Sequence, residues 1–507
     1  MNASTAPTTS PGDAPVTEYD VIVAGGGPAG ATLATLVARQ GHRVLLLEKE
    51  EFPRYQIGES LLPATVHGIA ALLGVADEIR DAGFTVKRGG TFRWGTAPEP
   101  WTFTFDESPE LAGPAPYAYQ VERMRFDQIL LDNARRHGVE VRERHAALDV
   151  LREEPGGRVC GLRYADADGR ARQARARYVV DASGHRSRLH QHTGGRRVYS
   201  EFFQNLALFG YFTGGHRLPA PHTGNILCAA FDDGWFWYIP LTADLTSVGA
   251  VVRRDAAHAV QGAPDRALRR LIDRCPLVRS YLAGAERVTE GPYGRVRVRK
   301  DYSYCDTAFW TPGLVLVGDA ACFVDPVFSS GVHLATYSGL LAARSVNSVL
   351  AGTVGQERAF AEFEARYRRE YGLFYAFLAA FYDMHRDRDS YFWEARKVAR
   401  CGASELEAFV ALVGGVASGE PSLAHPTAVG AQVTRTSRAL LRATAPDVPD
   451  AHRVAHAPDS DDMLLSTWEQ GVALERGTAP GAHFGEAAPL LPGGLLATPD
   501  GVHWTEP

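Results

Sequence analysis

A chain of 507 residues is long enough for two or three domains and for a sizeable core. Its 45% hydrophobic and 22% charged content is that of a soluble globular protein, and a net charge of -6 gives no reason to expect nucleic acid or an anionic membrane as a partner. Six cysteines (Cys160, Cys228, Cys275, Cys305, Cys322, Cys401) lie scattered without a C-x-x-C pair, which points to free thiols in a reducing cytoplasm.

Residues 1–17 are rich in Ser, Thr, Pro and Ala and lack a basic start followed by an apolar run. They read as a disordered leader and not as a signal peptide. No window reaches the roughly 18 uninterrupted apolar residues that a membrane span needs. The longest candidate, Gly331 to Leu350, is interrupted by His333, Arg344 and Asn347. The expectation is a cytoplasmic protein with neither a membrane nor a nucleic acid among its partners.

Asp20 to Ala24 and Arg43 to Leu47 are short apolar runs of the kind shown by buried parallel strands. Between them, Pro28 to Arg39 places small and apolar residues at helical spacing, and Leu61 to Ala82 is again helical in pattern. Gly89 to Gly95 reads as a turn into a strand. Tyr119 to Arg123 reads as a strand end, with a helix from about Arg125. Arg177 to Val180 is another buried strand, closed by Asp181-Ala182-Ser183-Gly184.

From about 200 to 299 aromatic and polar residues alternate and Gly and Pro are frequent, which predicts a mostly antiparallel sheet. Gly313 to Val317 returns to the buried-strand type, followed by the turn Gly318-Asp319-Ala320 and a helix after Gly331. Beyond residue 350 the pattern is mainly helical to about 412 and then loop-rich. Segments of one nucleotide-binding sheet therefore flank the 200–299 region, which marks it as an insertion. The expected architecture is α/β: a Rossmann-like core over residues 18–350 carrying the inserted sheet, then a mainly helical C-terminal region over residues 351–507.

Gly25-Gly26-Gly27-Pro28-Ala29-Gly30 fits G-x-G-x-x-G; it follows a strand and opens a helix, and Glu48 ends the next strand about 20 residues on. Gly25 permits the tight turn, Gly27 lets backbone approach a pyrophosphate, and Gly30 allows close helix–strand packing. Ala29 belongs to the helix N-terminus that offers unpaired N–H groups to phosphates, and Glu48 can accept from ribose hydroxyls. A bound dinucleotide is the expectation.

Trp235-Phe236-Trp237-Tyr238-Ile239-Pro240 puts two indoles on one side of an extended segment. Pro240 stiffens that segment and withholds a backbone donor. Such a wall beside a redox cofactor keeps an organic substrate off it while a small oxidant passes. Asp325-Pro326-Val327-Phe328-Ser329-Ser330-Gly331 leads into a helix, and its N–H groups either converge as a nest for an anion or simply cap the helix. Lys87 lies among apolar residues just before Gly89-Gly90. It is either a solvated surface lysine or one that projects into a cavity, where burial depresses its pKa; on the residues alone Arg88 is an equal choice. Phe374, Phe377, Leu378 and Phe381 share a helical face that is either plain core or a docking lid. His185 and His333 lie near the cofactor segments without the spacing of a metal site.

Arg123-x-x-Phe126-Asp127, Asp181-x-x-Gly184 and Gly318-Asp319-Ala320 occur in the order seen in flavoprotein monooxygenases of the hydroxybenzoate hydroxylase type. That resemblance implies FAD as the cofactor, with Arg123 contacting it and Asp319 accepting hydrogen bonds from its ribityl chain. Read singly, Arg123 is equally a surface cation and Asp319 a helix cap.

The Trp-x-Trp-x-Ile-Pro pattern and the runs Phe52 to Pro63 and Gly318 to Thr336 resemble flavin-dependent halogenases, closest to the phenol halogenases of vancomycin- and teicoplanin-type glycopeptide biosynthesis. The likeness runs from Tyr19 to about Trp393. It implies Lys87 as the essential lysine, Ser60 as a cofactor contact and halide contacts on the N–H groups of Ser330 and Gly331. It also implies a flavin reductase that supplies FADH2. Reduced FAD and dioxygen then give a C4a-hydroperoxide that chloride attacks. The resulting hypochlorous acid passes Trp235, Trp237, Ile239, Pro240 and Phe328 to reach Lys87, which directs chlorination of a phenolic ring of tyrosine, β-hydroxytyrosine or hydroxyphenylglycine type. The substrate is expected on a peptidyl carrier protein.

One departure is informative. Tryptophan halogenases carry a glutamate just before their Ser-Thr-Gly, and here that position is Phe328. An indole is thereby disfavoured, whereas a phenol activates its own ring. The competing expectations are an aromatic hydroxylase on the same scaffold and a non-catalytic flavin-binding partner of an assembly line.

Overall fold

The computed structural model describes residues 17–95, 99–108, 111, 116–382, 395, 405–418, 420, 423 and 489–507. Its organising element is an eight-stranded sheet ordered Trp310–Thr311, Leu314–Leu316, Ala171–Asp181, Thr17–Ala24, Val44–Glu48, Glu140–Glu143, with Ala146–Arg152 and Val159–Ala165 branching from it. The strands from Leu314–Leu316 to Glu140–Glu143 run parallel. Val44–Glu48 is buried along its whole length, as a strand covered on both faces must be. Helix Pro28–Ala38 connects the first two of these strands in the chain and packs against helices Ser330–Leu350 and Arg123–Arg136.

A second, nine-stranded sheet is ordered Cys322–Phe323, Arg297–Asp306, Arg197–Thr213, Thr246–Val252, Gly234–Pro240, Ile226–Phe231, Gly89–Arg93, Trp101–Thr104, with Glu286–Arg287 pairing off Arg197–Thr213. Its central strands come from the stretch expected to form an inserted antiparallel sheet, between segments of the first sheet. The sheet is larger than that expectation. Gly89–Arg93 joins it in parallel with Ile226–Phe231 and carries Trp101–Thr104 on its outer edge. This pairing needs glycine: a Cβ on Gly89 would lie 1.9 Å from the Phe103 carbonyl oxygen.

Alternation along Gly234–Pro240 sorts its side chains by face. Trp235, Trp237 and Ile239 join the main core, whereas Phe236 and Tyr238 join a second cluster with Leu268 and Leu271 of helix Pro264–Asp273.

The helical pattern over Leu61 to Ala82 resolves into three short pieces, Ala64–Ile69 (a π turn), Ala70–Leu73 and Ala76–Asp81. Gly74 ends the second piece with φ of 76°, a left-handed conformation that glycine adopts without a Cβ clash. The helix expected from about Arg125 already starts at Arg123, and the one expected after Gly331 starts at Ser330.

Of the C-terminal region, helices Gln356–Phe381 and Glu405–Gly414 are described, while residues 424–488 lie outside the described residues, as do residues 1–16 of the expected leader. Among the described residues no helix is long and apolar enough to cross a membrane. The aromatic stripe of Gln356–Phe381 is core: Phe374, Phe377, Leu378 and Phe381 are all buried.

The chain's last strands, Leu496–Ala497 and Trp504–Thr505, form a small hairpin docked on helix Ser330–Leu350. Trp504 donates its indole N–H to Ser345 Oγ at 2.8 Å, and Arg344 of the same helix lies 5.1 Å from its ring. Arg344 is fully buried and pairs with Glu420 at 2.8 Å. Trp504→Ala is therefore expected to destabilise the protein by about 3–5 kcal/mol, through a cavity and the loss of the indole hydrogen bond to Ser345, measured by equilibrium urea unfolding.

Candidate active site

The glycine turn is built as its sequence requires. Gly25 has φ of 112°, and a Cβ there would lie 2.3 Å from the Ala182 carbonyl oxygen. A Cβ on Gly30 would lie 2.0 Å from the Gly25 carbonyl oxygen. Gly27 is open except for the end of the Arg54 side chain, whose Nη2 would be 3.4 Å from a Cβ there. Ala29 is buried in the same first helical turn. Glu48 caps the arrangement, its carboxylate accepting from the Gly26 N–H at 2.8 Å and the Glu50 N–H at 2.9 Å. Helix dipole, open glycine face and a cation together suit a pyrophosphate.

Arg123 is buried, and most of its donors are engaged within the protein. It forms a two-pronged pair with Asp127 at 2.7 and 2.9 Å and donates to the Ile57 and Gly58 carbonyls at 2.8 and 3.1 Å. Asp127 also takes Arg54 Nη1 at 3.0 Å. One carboxylate thus orients both guanidinium groups beside the cleft. Asp319 differs: among the described residues its carboxylate has no hydrogen-bond partner. Burial pushes it up to about 6 against the pull of Arg123, Arg299 and Arg197. Ser60 Oγ and Ser330 Oγ are likewise buried without a partner among the described residues. Orphaned acceptors and hydroxyls of this kind suit a polyhydroxylated, hydrogen-bonding cofactor.

Lys87 sits on strand Thr85–Lys87, which pairs with Ala118–Gln120. Alternation here inverts the usual choice, with Val86 40% exposed and Lys87 only 3% exposed. The neighbouring Arg88 is exposed, so of the two cations only Lys87 enters the interior. Its amine donates to the Leu61 carbonyl at 3.0 Å and stands 5.6 Å from the Phe105 ring. Burial lowers its pKa to about 7; the one opposing influence is Cys228, and no carboxylate contributes.

Cys228 connects this amine to the tryptophan wall. It lies directly across from Trp237 in the antiparallel pair, with Sγ 4.0 Å from the Val327 carbonyl oxygen. Trp235 and Trp237 are both buried, their rings 6.2 Å apart. Trp237 donates to Ser247 Oγ at 3.2 Å, and Trp235 to the Tyr382 hydroxyl at 2.6 Å. Tyr382 in turn donates to Asp325 at 2.7 Å. Asp325 accepts from the Val327 N–H at 3.1 Å and so shapes the turn that carries Phe328. Ile239 shares the indole face, and beyond Pro240 the Leu241 carbonyl accepts from Thr85 Oγ1 at 2.8 Å, tying the wall to the Lys87 strand.

Phe328 is packed among Phe92, Phe377, Phe381 and Phe409 at ring separations of 4.6–6.3 Å. After it, Ser329 takes φ of 61° and helix Ser330–Leu350 begins, with open space beside Gly331. His333 shares a 2.7 Å hydrogen bond with Glu370. Among the described residues no three His, Cys, Asp or Glu side chains form a metal cluster.

Arg54, Glu59 and Cys228 are given no role by the sequence, and Asp127 enters only as the end of the Arg123-x-x-Phe126-Asp127 motif. Arg54 and Glu59 lie inside the quoted run Phe52 to Pro63, so position in that run was an available signal. Nothing local in the sequence distinguished Cys228.

Residues 20–115 and 106–442 match the sequence profile of the family described as tryptophan halogenase. The chain is 36% identical over 388 residues to a tryptophan 2-halogenase of Chondromyces crocatus, covering 75% of this chain and 70% of that protein. It is 33% identical over 337 residues to a 1H-pyrrole-2-carbonyl-(peptidyl-carrier protein) brominase of Pseudoalteromonas luteoviolacea, covering 66% of this chain and 78% of that protein. Among solved structures, the FAD-dependent, myxobacterial chondrochloren halogenase aligns with a TM-score of 0.73 at 52% identity, covering 96% of this chain and 100% of that one.

The lowered lysine pKa has a consequence for stability. Between about pH 7 and the unfolded lysine value of about 10.4, the unfolded chain binds more protons than the folded one, so stability rises with pH through that window. Lys87→Met is expected to stabilise the protein near neutral pH by on the order of 2 kcal/mol, the gap closing as pH rises towards about 10. Urea unfolding of both proteins across that range measures it.

Proposed function

Since the chain belongs to the tryptophan halogenase family and is an FAD-dependent halogenase, we propose that it chlorinates a phenolic ring presented on a peptidyl carrier protein, with Lys87 as the residue that hands over the halogen. The carrying observation is a buried amine, held by the Leu61 carbonyl without a carboxylate partner, beside a wall of two tryptophans.

Gly25, Gly27, Ala29 and Gly30, with Arg54 beside them, would hold the FAD pyrophosphate. Glu48 would take the ribose, Asp319 would accept from the ribityl chain, and Ser60 would offer a further hydrogen bond to the cofactor. Arg123 keeps the Ile57–Gly58 carbonyls in place along the cleft. Reduced FAD, delivered by a flavin reductase, supplies the activation of dioxygen that turns chloride into hypochlorous acid. Chloride rests on the N–H groups of Ser330 and Gly331, where the start of a long helix favours an anion.

Trp235, Trp237, Ile239, Pro240 and Phe328 keep the ring away from the cofactor and water away from the oxidant. The neutral Lys87 amine forms an N–Cl bond as the O–Cl bond of hypochlorous acid breaks and water leaves. The ring then takes the chlorine and loses a proton, which restores the amine. Phe328 in an aromatic cluster offers no carboxylate to stabilise a ring cation. A phenol suits this site because its own oxygen carries that charge. The carrier-bound substrate is supported by the relative named for a carrier-tethered pyrrole. Assignment to a tyrosine- or hydroxyphenylglycine-type ring of glycopeptide biosynthesis rests on the runs Phe52 to Pro63 and Gly318 to Thr336.

Incubation with a flavin reductase, FAD, NADH, chloride and a phenolic substrate, free or carrier-loaded, should give a mass gain of chlorine for hydrogen. A gain of one oxygen without chlorine would reject the reading in favour of a hydroxylase. Lys87→Ala should lower chlorination by roughly 100-fold or more while FAD still binds. In the wild type, activity should rise with pH through about 7 as the amine loses its proton. Arg54→Ala should weaken FAD binding roughly tenfold, read by flavin fluorescence.

A further inference from the structure

Lys87 is buried, and the making of hypochlorous acid from chloride, upstream of this amine, consumes a proton. Reduced flavin, dioxygen, chloride, an aromatic C–H and one proton give oxidised flavin, the aryl chloride and two waters; without the proton neither hydrogen nor charge balances. That proton needs a route inward that does not admit bulk water, because bulk water would let the hypochlorous acid escape.

The loop between the two halves of the site holds a chain of groups suited to this. Glu59 is 2% exposed and lies between Gly58, whose carbonyl Arg123 holds, and Leu61, whose carbonyl Lys87 holds. Its Oε1 accepts from the Tyr211 hydroxyl at 2.7 Å. The Tyr211 hydroxyl lies 2.7 Å from that of Tyr55. Tyr211 is fully buried, whereas Tyr55 is half-buried at the surface with the Arg297 guanidinium 3.6 Å from its ring centre. At the inner end Glu59 Oε2 is buried without a hydrogen-bond partner among the described residues. The Ser247 hydroxyl faces the same carboxyl and itself accepts from the Trp237 indole N–H.

We propose that Tyr55, Tyr211 and Glu59 form a proton relay from solvent into the active site, where it serves the making of hypochlorous acid, with Glu59 Oε2 as its inner terminus. A tyrosine hydroxyl both donates and accepts, so each link passes a proton by releasing one and taking another. Tyr55 takes a proton from water as Tyr211 receives one from Tyr55, Glu59 receives one from Tyr211, and the carboxylic acid gives one up inside. Bonds are exchanged and no redox change occurs. The relay rests on the halogenase reading above.

The surroundings of Glu59 keep it able to hold or release a proton near neutrality. Burial pushes its carboxyl up to about 7, opposed by the nearby Ser247 hydroxyl, by the Tyr211 hydrogen bond and by the Arg123 charge, and Glu122 pushes it further up. The remaining groups around the chain are Tyr293, whose hydroxyl donates to Glu122 at 3.0 Å, and Arg297 and Arg299 beside Tyr55.

Two arms test the relay on the full chain. In the first, protein free of flavin is titrated by infrared difference spectroscopy. A carboxylic acid C=O band should titrate near pH 7, vanish in Glu59→Gln and move in Tyr211→Phe; a band that is absent, or indifferent to both changes, overturns the relay. In the second, turnover is followed with a reductase, FAD, NADH, chloride and a phenol in light and heavy water. Tyr211→Phe and Glu59→Gln should lower kcat roughly 10-fold or more, with an altered solvent isotope effect and unchanged FAD affinity. Tyr293→Phe, off the chain, should match the wild type in isotope effect. Wild-type rates and isotope effects in Tyr211→Phe overturn the relay and leave the halogenase reading standing. A wild type that forms no aryl chloride overturns that reading, and the infrared arm then decides on the connected chain alone.

Discussion

A short length of backbone, Ile57 to Leu61, is pinned by its carbonyls, and both halves of the site depend on it. Arg123 holds the Ile57 and Gly58 oxygens, the Val121 N–H holds that of Glu59, and Lys87 holds that of Leu61. The donors come from the Val121–Arg123 junction and from the Lys87 strand, so the segment has little freedom to shift. The cofactor cleft lies at one end of it and the buried amine at the other. Buried carbonyls must be paired, and here two of the pairing donors are the side chains of Arg123 and Lys87.

Burial supplies the electrostatics. An ammonium group in an apolar site is disfavoured, so Lys87 falls to about 7 with no basic neighbour required. The same desolvation lifts Glu59 to about 7 and Asp319 and Asp325 to about 6. An amine and several carboxyls are thereby brought close to neutrality by one cause, the exclusion of water. Phe92, Phe328, Phe377, Phe381 and Phe409 form a contiguous set of rings around the turn that follows Asp325. The indole wall adds rigidity, since each of its N–H groups is fixed by a hydroxyl.

The cofactor cradle was legible because its determinants are local. Glycine spacing, the helix start and the acid ending the next strand all lie within Thr17 to Glu48, and each reports a backbone constraint that the structure then displays. The tryptophan strand was legible for a similar reason: period-two alternation assigns Trp235, Trp237 and Ile239 to one face before any partner is known. The extent of the second sheet was less legible. Gly89–Arg93 joins it from far along the chain, in parallel with Ile226–Phe231, and the residues of a short glycine-led strand do not name their partner.

Sequence by itself determined the nucleotide-binding core, the inserted sheet and the face on which the indoles lie, because these follow from the periods of strand and helix and from where only glycine fits. Tertiary structure alone decided that Lys87 and not Arg88 enters the interior, since that depends on which face of Thr85–Lys87 meets the core when it pairs with Ala118–Gln120. It alone also joined Glu59 to Tyr211 across 152 residues and Tyr55 to Tyr211 across 156. Hydrogen bonds over such separations are set by how two sheets and a loop pack together, and no local spacing records that arrangement.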